Sequence, residues 1–163
     1  MNALMRTPLQ FDVQSLVQAI GKNASVDSFA PVLTHSQWEL LGGYMQPFTL
    51  SPNQVLIEQN AVDRTLYLVE TGALNVHYED TKGRVRLAVV GPGSAVGEGS
   101  FFTRLPRSAT VQASVSSKVW SLTPIRYTEL SHRHPEVALA ISMALGALVS
   151  RRLINKPKRV AVT

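Results

Sequence analysis

The chain changes its hydrophobic rhythm twice. Between Phe11 and Ile20, Val13, Leu16, Val17 and Ile20 recur at helical spacing. Asp12 can cap that helix, and Gly21 and Asn23 can end it, behind a loose start over residues 1–8. Ser36 to Met45 predicts a second short helix, with Trp38, Leu41 and Met45 on one side and Gly42-Gly43 near its end. From Pro47 the period changes. Val55 and Ile57 alternate with polar neighbours, and Leu66 to Val69 is a short buried run. Leu74, Val76 and Tyr78 alternate, as do Val85, Leu87 and Val89; beyond a glycine-rich stretch come Val111, Ala113 and Val115, then Trp120 and Leu122. Gly72, Lys82-Gly83 and Gly91-Pro92-Gly93 punctuate the runs as turns. Short strands with regular turns predict an antiparallel barrel or double-sheet roll.

Helical spacing then returns. Thr123-Pro124 pairs a capping hydroxyl with a proline in the first turn, opening a short helix that carries Tyr127 and Leu130. His134-Pro135 opens another, predicted to run to about Leu153. Val137, Ile141, Leu145 and Leu148 form one stripe, whereas Leu139, Met143 and Val149 lie off it, so this helix needs burial on more than one side. Arg151 and Arg152 at its far end are expected to meet solvent or an anion, and Lys156-Pro157 to end regular structure. The expected organisation is a helical extension over 1–32, a main domain over 33–153 and a basic tail over 154–163.

Composition narrows the classes. A chain of 163 residues, 45% of them hydrophobic, suits one domain with a proper core. The absence of cysteine excludes disulfides, thiolate metal sites and iron–sulfur clusters. With no signal-peptide pattern and no apolar run read as long enough to span a bilayer, a cytoplasmic protein is expected. The net charge of +5 includes a C-terminal cluster, Arg151, Arg152, Lys156, Lys158 and Arg159, which reads as a solvated end. No specific DNA binding is expected from it. Arg84 and Arg86 share one face of a strand and should be solvated, or used by an exposed strand against an acidic partner. His35, His77, His132 and His134 lack metal-ligand spacing, and Ser100 sits in no nucleophile-elbow pattern. Neither a metal site, a catalytic cofactor nor an enzyme is expected.

The chemistry concentrates between Val96 and Val111. Gly97 and Gly99 let the backbone turn tightly and approach a ligand. Phe101 and Phe102 can anchor a short helical turn. Pro106 stiffens the chain before Arg107, whose guanidinium suits a phosphate that it can clasp with two parallel bonds. Glu98 cannot serve a phosphate but can accept bonds from sugar hydroxyls. An anion site beside a hydroxyl site describes a nucleotide. The competing reading is a structural salt bridge between Arg107 and Glu98, with the Ser108 hydroxyl capping a local turn.

Leu66-Tyr67-Leu68-Val69-Glu70-Thr71-Gly72 with Leu74 and Val76, the Gly83 turn, Pro92-Gly93, Gly97-Glu98 and Pro106-Arg107-Ser108-Ala109-Thr110-Val111 together resemble the cyclic nucleotide-binding domain family. The resemblance covers about Leu33 to Leu153. It implies a mainly β fold with flanking helices: an eight-stranded antiparallel double-stranded β-helix, jelly-roll-like, with N-terminal helices and two C-terminal helices. It implies cyclic AMP or cyclic GMP as ligand. Glu98 would accept the ribose 2′-hydroxyl and Arg107 would pair with the cyclic phosphate. Backbone amides of Gly97, Ser100 and Ser108 would line the phosphate, the Ser108 hydroxyl could add a bond, and Gly99 and Ala109 would complete the cassette. Val96 stands where the family usually has an aromatic residue, and Gly99 where a larger apolar one is usual. The last helix would close over the base through Leu145, Leu148, Arg152 or Leu153.

The function implied is a sensing module that relays ligand occupancy through its C-terminal helix to a regulated partner or a homodimer. The alternative is an assembly domain that keeps the roll and uses no nucleotide. A transcription factor of the catabolite-activator type is disfavoured, because only about ten residues follow Leu153.

Overall fold

The computed structural model describes residues 11–155. Asp12 caps α1 (Val13–Lys22), its carboxylate accepting from the Gln14 N–H at 2.9 Å. The helix runs through Gly21 and stops at Asn23. α2 occupies His35–Gly42 and ends short of the predicted Met45. Its start is set by a capping box, in which Thr34 and Gln37 each take the other's backbone N–H, and the Gly43 N–H closes its end on Leu40.

The strands are β1 (Gln46–Leu50), β2 (Val55–Ile57), β3 (Leu66–Thr71), β4 (Leu74–Asp80), β5 (Gly83–Val90), β6 (Ala95–Val96), β7 (Thr110–Ala113) and β8 (Ser117–Leu122). They form two four-stranded antiparallel sheets, ordered β1-β8-β3-β6 and β2-β7-β4-β5. A short helix, α3 (Glu98–Thr103), interrupts the strands, and α4 (Pro124–Arg133) and α5 (Pro135–Ile154) follow them. This is the eight-stranded roll with flanking helices that the resemblance implies.

Two apolar clusters hold it together. Leu50, Ile57, Val69, Leu74, Val76, Val90, Val111 and Val119 fill the space between the sheets. Leu66, Leu68, Trp120 and Leu122 join a second cluster with Val13 and Leu16 of α1, Trp38 and Leu41 of α2, Leu130 of α4, and the α5 stripe Val137, Ile141, Leu145 and Leu148. β3 and β8 are therefore buried on both faces, which is why Leu66 to Val69 reads as an unbroken run. Each such side chain contributes about 1.5–3 kcal/mol relative to exposure.

The strand predicted over Val85, Leu87 and Val89 departs from simple alternation. Val76 pairs with Ala88 and His77 with Arg86, so Leu87 is an extra residue. Past that bulge the facing inverts: Val90 is buried, while Val85 and Val89 are exposed. Arg84 and Arg86 are exposed, as expected.

Thr123 caps α4 as predicted, accepting from the Arg126 N–H at 3.3 Å. On α5, Leu139 and Met143 face outward, 63% and 68% exposed, and Val149 is half-buried. α5 also amends the expectation that no apolar run is long enough to span a bilayer: among the described residues it passes by length and composition. Here its stripe lies in the core. Residues 1–8 and the basic positions Lys156, Lys158 and Arg159 lie outside the described residues.

Candidate nucleotide site

β6 ends at Val96, and the chain turns at Gly97 into α3. Gly97 has φ +87°, and a Cβ there would sit 2.6 Å from the Thr65 carbonyl oxygen and 2.7 Å from Arg107 Nη1. Glycine alone fits this corner. Gly97→Ala is expected to cost roughly 1–3 kcal/mol and to displace Arg107. Thermal unfolding measures the cost, and an unchanged melting temperature would contradict the close approach. Phe101 anchors α3 in the core, touching Tyr127 edge-on with ring centroids 5.2 Å apart. Phe102 does not share that task, because it projects outward and is nearly half exposed. Arg104, at φ +63°, ends the helix, its N–H bonding the Ser100 carbonyl at 3.1 Å.

Arg107 is held at backbone and side chain alike. Its N–H donates to the Ala61 carbonyl, and its carbonyl accepts from the Asn60 N–H, both at 2.8 Å. The guanidinium turns inward and is only 2% exposed. Nη1 donates to the Gly97 carbonyl at 3.0 Å; Nη2 donates to Asp63 Oδ2 at 2.7 Å and to the Thr65 carbonyl at 2.6 Å. The other Asp63 oxygen accepts from the Thr65 N–H and hydroxyl, fixing the carboxylate in a tight local turn. Burial pushes the Asp63 carboxyl up, but the bonds from Arg107 and Thr65 outweigh it and hold the group below its ordinary value. Nε of Arg107 is buried and has no hydrogen-bond partner among the described residues. A buried donor left in that state costs about 1–3 kcal/mol.

Around this guanidinium, Ser100 is buried and Gly99 partly buried within α3. Ser108 lies at the surface, whereas the Ala109 side chain belongs to the core between the sheets. Ala109 can therefore offer a ligand its backbone but not its methyl group.

Glu98 and Arg107 do not bond each other in the way the salt-bridge reading expects; each has another principal partner. Glu98 is fully buried, and its Oε1 accepts from Arg152 Nη1 at 2.5 Å. Arg152, expected at the end of α5 to meet solvent or an anion, is buried and meets anions. Its Nε donates to Asp27 Oδ1 at 2.7 Å, and its Nη2 donates to the Ser94 hydroxyl at 3.1 Å and the Ala95 carbonyl at 2.8 Å. Burial works to lower its pKa, but Glu98 and Asp27 overcome this and raise it above the ordinary guanidinium value. Arg151 is likewise engaged, donating to the carbonyls of Val26 and Ser28.

Sequence reasoning missed Asp63 and Asp27, and it did not pair Arg152 with Glu98. The signal for Arg152 was available: it falls four residues after Leu148, on the buried stripe of α5. A cation on such a stripe calls for a buried acid. Asp63 shows only an Asp-x-Thr turn pattern, which carries no sign of Arg107.

The model of the cyclic nucleotide-binding domain matches residues 47–134, more than half of the chain. The chain belongs to the cyclic nucleotide-binding domain family. The match runs from β1 to just past α4 and contains Glu98, Arg107 and Asp63, while Asp27, in the turn between α1 and α2, and Arg152, on α5, lie outside it.

The domain is similar to the Pycsar effector protein BcPycTIR of Burkholderia cepacia, with 32% identity over 109 residues, 66% of this chain and 33% of that protein. It is also similar to a cAMP-dependent protein kinase regulatory subunit of Blastocladiella emersonii, 31% identical over 86 residues, 52% of this chain and 21% of that one. The chain thus spans about a third or less of these relatives. Among solved structures, a cyclic nucleotide-binding domain from Methylobacillus flagellatus KT shares the fold, with a TM-score of 0.79 and 22% identity over 92% of this chain and 85% of that one. The Thermus thermophilus catabolite activator protein gives a TM-score of 0.68 and 27% identity, over 77% and 58% of the two chains.

Proposed function

We propose that this domain binds cyclic AMP or cyclic GMP at the Gly97–Ala109 cassette and relays occupancy through α5 to a regulated protein or a second copy of the chain. The observation that carries the reading is the buried, unpartnered Nε of Arg107 beside the Gly97 turn. A phosphate oxygen would supply the missing acceptor with a charge-assisted bond, and amides of Gly97, Ser100 and Ser108 would add to it. Cyclic AMP is the first ligand to try, since the Blastocladiella relative is named for it.

Glu98 supplies the link to α5. A fully buried carboxylate meets a ribose hydroxyl only if its surroundings rearrange, and those surroundings include Arg152. Ligand and Arg152 then share or exchange one acceptor. The ligand shifts α5 only by its difference in affinity for the two arrangements. The 2′-deoxy analogue is expected to bind more weakly by about 1–3 kcal/mol, because Glu98 loses a donor. Equal affinities of cyclic AMP and its 2′-deoxy form, compared by calorimetry, would remove Glu98 from the ribose role.

Hydrogen exchange tests the relay. Adding the nucleotide is expected to slow exchange across 97–111 and to change it at 24–29 and 148–155, the segments that Arg152 ties together. A change confined to 97–111 would show that α5 takes no part. The second reading, an assembly domain that uses no nucleotide, draws on the pairing of Glu98 with Arg152 inside the protein.

A further inference from the structure

A groove of about 780 Å³ lies on the far side of the Arg152 network, between α1 and the ends of β3 and β8. On its floor is Glu70. Val69 pairs with Val119 and Thr71 with Lys118, so Glu70 is the extra residue of a bulge, a device that re-aims a side chain. Glu70 is 5% exposed. Its Oε1 accepts one bond, from the Trp120 indole N–H at 3.1 Å, and it makes no ion pair among the described residues. With no cation in ion-pair contact, the Glu70 carboxylate can accept charge-assisted bonds from an incoming cation. Asp27, the other acid on the wall, is already engaged by Arg152. The groove also carries Lys22, in the last turn of α1, and Lys118, whose ammonium lies 6.0 Å from the Phe11 ring centroid. These lysines disfavour a purely cationic guest and suit one that also bears an anion.

We propose that this groove binds a small zwitterion, with an ammonium or guanidinium group on Glu70 and a carboxylate on Lys22 and Lys118. The site is distinct from the nucleotide cassette, although Asp27 and Ser94 on its wall bond Arg152, and its test needs no nucleotide. L-arginine serves as the probe, and the Trp120 indole N–H resonance reports on Glu70. On the whole chain, L-arginine at millimolar concentration is expected to shift that resonance saturably. Glu70→Gln keeps an acceptor for the indole and is expected to weaken the affinity at least roughly tenfold, the effect of losing about 1.4 kcal/mol. Agmatine, which lacks the carboxylate, is expected to bind the wild-type protein several-fold more weakly. The proposal is overturned if L-arginine gives no saturable shift, or if Glu70→Gln binds it as well as the wild type. Equal binding of agmatine and L-arginine overturns it too, and that comparison needs no variant to fold.

Discussion

Arg107→Ala is expected to weaken cyclic nucleotide binding by about 30-fold to several-thousand-fold, the equivalent of roughly 2–5 kcal/mol for truncating one member of a buried, hydrogen-bonded charge pair. The guanidinium is already aimed. Asp63 and the Thr65 carbonyl hold Nη2, the Gly97 carbonyl holds Nη1, and Nε is left over. A ligand phosphate therefore meets a cation whose ordering cost has been met by folding. The variant should remain folded, because Asp63 is about half exposed and water can take over its oxygens. Arg107→Lys should lose most of the affinity as well, since a single ammonium cannot hold both the Asp63 turn and a phosphate with the geometry of a planar fork. Displacement of a fluorescent cyclic nucleotide measures both variants. Wild-type affinity in Arg107→Ala would remove this residue from the site.

Arg152→Ala is expected to give the largest loss of stability, roughly 3–5 kcal/mol, because it removes the cation bonded to the fully buried Glu98 and takes a partner from Asp27. For a chain of this size that corresponds to a melting temperature lower by about 6–20 °C. The loss should fall well below the sum of the single effects when Arg152→Met is combined with Glu98→Gln, since the pair then disappears together. A double-mutant cycle by thermal unfolding gives the coupling. A change within about 0.5 kcal/mol for Arg152→Ala would be the behaviour of a surface residue and would contradict the buried network.

The fold was legible where local chemistry and tertiary packing agree. Asp12, Thr123 and the α5 stripe announce their helices, and Leu66 to Val69 announces a strand buried on both faces. It was illegible where pairing decides. β6 is two residues long, β1 contains Pro47, and the facing of β5 depends on a bulge that only its pairing with β4 creates. The site divides in the same way. Gly97, Glu98 and Arg107 stand out because their spacing within one loop already poses a chemical question. Their partners do not, because Asp63 and Arg152 lie 44 and 54 residues away along the chain. No local pattern carries a contact of that range. Arg152 was open to a better reading, as a charge on an apolar stripe; Asp63 was not.

The central claim is that Arg107 and Glu98 receive a cyclic nucleotide, and isothermal titration tests it most directly. Cyclic AMP and cyclic GMP are titrated into the wild-type protein and into Arg107→Ala. The structure predicts saturable one-site heat with at least one of the two nucleotides, lost or severely weakened in the variant. Absence of saturable heat with both nucleotides, in a wild-type protein shown to be folded, would contradict it.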